Sequence, residues 1–383
     1  MTSDEVAFWV AAFLFVYPFA VYPLLVLAGG AVVRRTWTKA DVTPRVSFLV
    51  TAYNEEASLA AKIENALALD YPPENLEILV ASDASTDRTD EIARSYAGRG
   101  VVLVRLDERG GKTRAQNAAV ARATGEVIVH TDATILLDRG ALRTLVRGMA
   151  DPRVGCVTSQ DRSPAPARAT GVETAGLYTR YEIAVRNAEA RLTNLIGVSG
   201  SFYAVRRALR PPLAPDLIDD FAIPLHVIRQ GKWVVPEPEA WNDVRRSKDL
   251  AQEYRRKVRT FLTGMRVLAR APGMLNPFRH GLTAFQLFSH KLARWLWPFL
   301  LVGIFQSSAL LAGAHGFYAL ALLAQLALYG AALAGWSYVR AGKTPPGPLR
   351  PAYYFAMVNV ALVHAWIKLV RGDDPAIWEP TRR

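Results

Sequence analysis

The strongest constraint on the fold is the uneven placement of charge along the 383 residues. Residues 6–33, 295–339 and 351–367 carry no charged side chain, whereas residues 34–294 have the mixed charge of a soluble domain. A membrane helix needs about 20 apolar residues. The pattern predicts an N-terminal anchor over 1–35, about three C-terminal membrane helices over 295–370, with a break near 314–316, and a tail over 371–383.

Basic residues predict the orientation of the anchor. Arg34 and Arg35 follow the first apolar stretch, whereas only Asp4 and Glu5 precede it. Lys and Arg favour the cytoplasmic side, and a cleaved signal peptide would begin with basic residues. We therefore expect a retained anchor, bent or tilted by Pro18 and Pro23, in an integral protein of the cell (inner) membrane with its soluble domain in the cytoplasm.

The soluble region, expected over 45–270, alternates short apolar strands with helices. Strands are predicted over 46–51, 76–82, 101–105 and 126–131, and more loosely over 154–159, 198–205 and 233–236. Apolar strands separated by helices indicate a mainly parallel α/β sheet that is covered on both faces. Ligands of such sheets bind at the carboxyl ends of the strands.

A segment over 276–294 is expected to form an amphipathic helix at the membrane surface, with a helix of the globular core as the alternative. Its apolar residues share one helical face, and they are Phe278, Leu282, Phe285, Phe288 and Leu292.

Composition excludes several other classes of protein. Cys156 is the single cysteine, so an intrachain disulfide framework is impossible. The net charge of +12 could indicate nucleic-acid binding, but the sequence contains no zinc-finger or RNP motif. Attraction to anionic lipid headgroups and anionic substrates explains the excess more simply, so no nucleic-acid partner is expected.

Two aspartates follow strands of the predicted sheet. Asp83 and Asp132 should converge at its edge, where carboxylates with substrate phosphates suit a magnesium ion. Capping of helices is the alternative role. The sequence Arg109–Lys112 could present backbone amides to phosphate. It is not a Walker A loop, because Leu106 stands where that motif has its first glycine.

Six ordered strings resemble the family 2 glycosyltransferases, membrane enzymes with a GT-A (Rossmann-like, nucleotide-sugar-binding) fold that include cellulose and hyaluronan synthases. The strings are VSFLVTAYNEE at 46–56, SDASTDRT at 82–89, GGKTRAQNAAVARATGEVIVHTDAT at 110–134, GVSGSFYAVRR at 197–207, IDDFAIPLHVIRQG at 218–231 and RRKVRTF at 255–261. The resemblance covers nearly the whole chain, including the order of anchor, catalytic domain and membrane helices.

The resemblance implies a binding site for a nucleotide sugar, and a UDP-sugar is expected. Tyr53 and Glu55 would border the base and ribose, Asp83 would contact the uracil, and Lys112 would lie near the diphosphate. Asp132 matches the first aspartate of the DxD motif, which holds Mg2+ or Mn2+. Thr134 replaces the second aspartate, so the metal would depend more on diphosphate oxygens and water.

The resemblance also implies the catalytic and acceptor residues. Asp220 matches the base that removes the acceptor proton, which gives inversion at the anomeric carbon. Asp219 would contact the acceptor or cap the helix that begins there, and Gly200 and Ser201 would line the acceptor site.

The basic string at 255–261 corresponds to the Q-x-x-R-W motif of the synthases. Arg256 and Arg259 occupy polar positions of this motif, and Arg259 would pair with the diphosphate; a solvated or lipid-facing basic helix is the alternative. Thr260 replaces the tryptophan that faces the acceptor sugar in those synthases, which argues against long-chain processive synthesis.

The expected function is transfer of a sugar, with inversion, to a lipid-linked or polysaccharide acceptor in cell-envelope or exopolysaccharide synthesis. Two alternatives remain open at this point. One is a processive synthase that also translocates its polymer, and the other is a catalytically inactive scaffold subunit. The sequence leaves open whether the chain forms a homo-oligomer.

Overall fold

The computed structural model describes residues 1–162, 173–243 and 250–373. In these ranges, seven strands form one sheet in the order β3-β2-β1-β4-β6-β5-β7. The strands are β1 Val46–Ala52, β2 Leu76–Ser82, β3 Val101–Arg105, β4 Val127–Asp132, β5 Val154–Arg162, β6 Phe202–Arg206 and β7 Trp233–Asp243. The first four strands pair in parallel, and β6 runs antiparallel between β4 and β5. The mainly parallel α/β sheet expected from the sequence is confirmed.

The helices alternate with these strands and then continue into the C-terminal apolar region. Their bounds are α1 Ser3–Val16, α2 Val21–Val32, α3 Leu59–Leu67, α4 Thr89–Ser95, α5 Lys112–Arg122, α6 Ala141–Val146, α7 Glu173–Leu192, α8 Asp219–Arg229, α9 Leu250–Arg270, α10 Pro277–His280, α11 Leu282–Leu287, α12 Ala293–Trp295, α13 Trp297–Leu311, α14 Gly316–Arg340 and α15 Leu349–Arg371. Residues 374–383 of the expected tail lie outside the described residues.

Alternation along β1 fills a core on each face of the sheet. Phe48 and Val50 pack in the layer of α3, α4 and α6, whereas Leu49 packs in the layer of α5, α7 and α8. Successive side chains of a strand point to opposite faces, so a strand that is apolar throughout must be covered twice. The carboxyl ends of β1, β2 and β4 remain at one open edge, where their loops form the site described below.

Two C-terminal helices, α14 and α15, are each long and apolar enough to cross a membrane. Two bent pairs add two more spans if each pair is one span: α1 with α2, bent by 47°, and Leu282–Trp295 with α13, bent by 60°. The first bend lies at the turn that contains Pro18, whose ring removes a helical hydrogen bond. The predicted break near 314–316 is observed between Leu311 and Gly316.

The segment 276–294 is not the single helix that its apolar pattern predicts. Helix α10 ends at His280 and Gly281 adopts a φ of 48°, a conformation that glycine reaches without a Cβ clash. Helix α11 then continues into a π-helical turn over Phe288–Leu292. Four of the five apolar side chains of the pattern, Phe278, Leu282, Phe285 and Phe288, are exposed on the protein surface. The fifth, Leu292, packs against the core cluster that contains Trp295.

Candidate active site

A cavity of about 1060 Å³ opens at the carboxyl ends of the central strands. Helix α9 and the end of α15 contribute its remaining walls. Most of the residues that the sequence assigns to the site line this cavity, and they are Glu55, Lys112, Asp132, Gly200, Ser201, Asp219, Asp220, Arg256 and Arg259. Tyr53 and Asp83 are not among its lining residues.

Asp83 instead holds the loop that leads into α5. Its fully buried carboxylate accepts hydrogen bonds from the backbone N–H groups of Gly110 at 2.7 Å and Gly111 at 2.9 Å. The guanidinium of Arg109, in the same loop, lies 3.9 Å from the centre of the Tyr53 ring, a distance at which a cation is attracted to an aromatic face. Asp83 and Tyr53 therefore fix this glycine-containing loop at the cavity edge.

The loop places a cation in the cavity. Lys112 begins α5 and donates from Nζ to Asp132 at 2.9 Å and to the carbonyl oxygen of Gly200 at 3.3 Å. Burial disfavours its charged form, but attraction by Asp132, Asp219 and Asp220 outweighs burial and raises the pKa of Lys112 above its ordinary value. Lys112 is therefore a permanent positive charge, suited to bind phosphate.

Asp219 and Asp220 begin α8 but have different surroundings. The Asp219 carboxylate accepts hydrogen bonds from Gln116 at 2.9 Å and from the Tyr203 hydroxyl at 3.0 Å. Burial opposes its ionisation, yet Lys112 and these hydrogen bonds lower the pKa of Asp219. Burial and the adjacent Asp219 charge raise the pKa of Asp220. Asp220 is therefore the carboxylate of the pair that is able to exchange a proton at moderate pH.

A tight turn brings Gly200 against Asp220. A Cβ atom at Gly200 would lie 2.9 Å from Asp220 Oδ2, which leaves no room for a side chain. The strand expected over 198–205 is wrong in its first half, because β6 begins at Phe202. The N–H of Val198 bonds to the Asp220 carbonyl at 2.9 Å instead of to a strand.

Helix α9 supplies the basic wall of the cavity. Arg256 lines it while donating to Glu253 at 2.8 Å, and Arg259 and Thr260 line it one turn further on. Two further arginines of this wall, Arg266 and Arg270, were not predicted from the sequence; they bind Asp216 at 3.1 Å and 2.8 Å. Helical spacing continued from Arg259 would have found the two arginines.

Three further polar residues were also missed. Gln116 and Tyr203 hold Asp219 as described above, and the fully buried Lys62 donates at 2.6 Å to the carbonyl of Ile135, just beyond Thr134. No local motif distinguishes these residues, because their roles depend on contacts between distant segments.

Asp132 and Thr134 lie where β4 ends, at the position expected for a metal ligand. The described ranges contain no group of three or more His, Cys, Asp or Glu side chains that could hold a metal ion. The Asp132 side chain is 27% exposed and faces the cavity. These residues fit a divalent ion that is held by one carboxylate together with substrate phosphates.

Comparison with known proteins extends the resemblance. A family model described as Glycosyl transferase family 2 matches residues 47–209. The chain is 32% identical over 118 residues to Beta-monoglucosyldiacylglycerol synthase of Synechocystis sp., covering 30% of this chain and 25% of that protein. It is 31% identical over 124 residues to Poly-beta-1,6-N-acetyl-D-glucosamine synthase of Staphylococcus aureus, covering 32% of this chain and 30% of that protein. The matched regions span about half or less of the curated relatives.

A solved structure matches over almost the full length. The mannosyltransferase PcManGT from Pyrobaculum calidifontis, in complex with GDP-Man and Mn2+, is 25% identical with a TM-score of 0.71, and the match covers 96% of this chain and 100% of that chain. The fold and the site define a glycosyltransferase of the GT-A type. Residues 47–209 therefore form a family 2 glycosyltransferase domain.

Proposed function

We propose that this chain transfers a sugar, with inversion, from a nucleotide sugar to a hydroxyl group of a lipid-linked or polysaccharide acceptor at the membrane surface. The observation that carries this proposal is the Asp220 carboxylate. It has a raised pKa and lines the same cavity as the Lys112–Asp132 pair, which supplies a phosphate-binding cation and a metal ligand.

The donor is proposed to lie along the α5 and α9 sides of the cavity. Lys112, Arg256 and Arg259 would bind its diphosphate, and Glu55 would border the ribose. For Tyr53 to bind the base, Arg109 must leave the Tyr53 ring, and for Asp83 to bind it, the backbone of Gly110 and Gly111 must move away from the carboxylate. A UDP-sugar remains the proposed donor, but a GDP-sugar belongs in any test, because PcManGT was solved with GDP-Man.

In the proposed reaction, the acceptor oxygen bonds to the anomeric carbon on the face opposite the diphosphate, while the carbon–oxygen bond to the diphosphate breaks. Asp220 accepts the proton of the acceptor hydroxyl, a contribution of about 10²–10⁴ in rate. Lys112 and Arg259 stabilise the negative charge that develops on the leaving diphosphate. Gly200, Ser201 and Asp219 are proposed to contact the acceptor.

Asp132 is the proposed ligand of a Mg2+ or Mn2+ ion. When bound, this ion would neutralise charge on the diphosphate. The Lys112–Asp132 ion pair of 2.9 Å joins the two groups that would share the donor phosphates.

The proposed location is the inner membrane, with the catalytic domain over 45–270 in the cytoplasm. Arg34 and Arg35 follow the anchor, and Phe278, Phe285 and Phe288 are exposed on the protein surface. Aromatic side chains beside basic residues are suited to the headgroup region of a bilayer. Such placement would let the cavity reach an acceptor that stays in the membrane.

The similarity to a poly-N-acetylglucosamine synthase favours processive synthesis as a second candidate function. Thr260 lines the cavity where the synthase motif has tryptophan, so a flat stacking surface for a growing chain is missing at this position. Product length separates the two candidates. A ladder of long polymer would show processive synthesis and contradict single transfer.

The test is a screen of the purified full chain in detergent against UDP- and GDP-sugars, with bacterial lipid extract as acceptor. Released nucleotide is measured with Mg2+, with Mn2+ and with a chelator. We expect one donor to give acceptor-dependent release that the chelator suppresses. Absence of release from every donor and metal combination would contradict the proposed activity.

A further inference from the structure

The candidate base is acted on by a second cation, which belongs to the segment over 276–295 that carries the exposed phenylalanines, named here the membrane-facing segment. Lys291 belongs to the π-helical turn Phe288–Leu292, and its ammonium group lies 5.0 Å from the centre of the Phe221 ring. Phe221 directly follows Asp220 on α8. Lys291 is one of the two cations that favour the ionised form of Asp220 and so lower its pKa.

The placement of Lys291 is not explained by pairing within the fold. Among the described residues, no carboxylate oxygen lies within ion-pair distance of its ammonium group; its recorded contact is the Phe221 ring. Removing a charge from water without a close partner costs free energy. A basic residue of this segment can also stay in water, since Arg279 remains exposed to solvent. A π turn inserts one residue into the helix, which rotates the following side chains by about 100°.

The charges around the base balance only when Lys291 is counted. The negative charges that raise its pKa and the cations that lower it come from four different elements. The charged groups that act on Asp220 are Asp219, Lys112, Lys291 and Asp132. Loss of Lys291 would leave Lys112 alone to oppose two carboxylates.

Two negative and two positive groups surround Lys291 itself. The charged groups that act on it are Asp220, Arg186, Arg294 and Glu182. Glu182 is already bound by Arg294 at 2.7 Å and by His290 at 3.2 Å. Asp220 is therefore the negative group toward which the charge of Lys291 acts.

We propose that Lys291 is a positioning residue that keeps Asp220 ionised, so that the membrane-facing segment over 276–295 completes the active site of the catalytic domain. The proposal rests on the proposed role of Asp220 as the base. It implies that docking of this segment onto α8 and a working active site are the same event.

The test compares pH profiles of nucleotide release for Lys291→Met, Lys291→Arg and the control Arg279→Met, using the donor found in the screen. A cation favours an ionised carboxylate, so its removal raises the pKa of Asp220. The base acts when it is ionised, so turnover rises with pH along the acid limb of the profile. In Lys291→Met this acid limb should shift to a pH about 1 unit higher. Turnover then falls about tenfold below the limb and returns toward the wild-type value at high pH.

Lys291→Arg, which retains the charge, and Arg279→Met should keep the wild-type limb. An unmoved limb in Lys291→Met, or an equal loss of turnover at every pH, would overturn the proposal. If the methionine variant does not fold, Lys291→Gln is measured against the same criterion. Full turnover in Asp220→Asn would instead refute the proposed base, so the two failures are distinguishable.

Discussion

Asp219 and Asp220 are identical residues at the start of one helix, yet the structure gives them different chemistry. Two hydrogen bonds and Lys112 favour the charge on Asp219, whereas burial and the Asp219 charge disfavour the charge on Asp220. Such separation of neighbouring pKa values is how paired carboxylates acquire different tasks. It supports the proposal that Asp220 is the base and that Asp219 anchors α8 to Gln116 and Tyr203.

The closeness of Gly200 to this base leads to a prediction. In Gly200→Ala, the new methyl group would meet Asp220 Oδ2 at 2.9 Å, so the carboxylate must shift. We expect kcat to fall by at least about tenfold, because a small displacement of a catalytic group has a large effect on rate. The dissociation constant of the nucleotide should stay unchanged in calorimetry.

The matched control is Gly197→Ala, in the same loop. A Cβ atom there would meet the Asp220 carbonyl oxygen at 3.7 Å, an ordinary contact. Equal losses of kcat in the two variants would show that the loop, and not the carboxylate position, is responsible.

At the scale of whole elements, apolar runs made the parallel half of the sheet predictable. Strands β2 and β3 have the predicted bounds, because each apolar run ends at a turn signal. The prediction of a strand over 198–205 is wrong in its first half. There the backbone N–H of Val198 bonds to Asp220 and that of Ser199 bonds to Thr158, and both partners lie far away in sequence. The prediction of a single helix over 276–294 is wrong because Gly281 permits a break that the periodicity of the apolar residues does not reveal.

The same limit applies to the site. Strand ends and motif strings placed Asp132, Asp220 and the α9 arginines in one cavity, because parallel strands end at one edge of the sheet. They did not predict that Asp83 would be buried under Gly110 and Gly111. That contact depends on the path of the loop before α5, for which no short-range pattern exists.

One side chain of the segment between β6 and α8 forms ion pairs with two arginines of α9. Asp216 binds Arg266 and Arg270, and its side chain is only 17% exposed. Removing one partner of a partly buried ion pair costs more stability than removing one partner of an exposed pair, because the remaining charge is left buried without its partner. We expect Asp216→Ala to destabilise the protein by about 1–2 kcal/mol, measured as a lower Tm in detergent.

The exposed pair Arg88–Glu91, with side chains 71% and 68% exposed, provides the comparison. Removal of this pair through Glu91→Ala should cost less than about 0.5 kcal/mol. If Asp216→Ala were as stable as Glu91→Ala, the Asp216 pairs would not fix this segment.

At the scale of the whole molecule, the catalytic domain and the apolar helices share buried contacts. Tyr22 of α2 packs against Val185 of α7, and its hydroxyl donates to Glu189 at 2.5 Å. A separate cluster joins Trp295 to α9 and α15. These contacts join α7 and α9 to α2, Trp295 and α15 in one continuous structure.

The proposed topology can be mapped with a cysteine probe. Cys156 is fully buried, and burial raises the pKa of its thiol, so it should not react with a thiol reagent. Ala97→Cys, on the exposed surface of the catalytic domain, should be labelled only after the cells are permeabilised. Ala314→Cys, in the exposed turn before α14, should be labelled in intact cells. The reverse pattern would contradict the proposed orientation.

The account depends most on Asp220, so Asp220→Asn is its most direct test. Turnover and nucleotide binding are measured on the full chain in detergent with the donor from the screen. Asparagine keeps the shape of the side chain but cannot accept the proton, so we predict that turnover falls by about 10²–10⁴-fold while the nucleotide dissociation constant is retained. Turnover near the wild-type value would contradict the proposed mechanism.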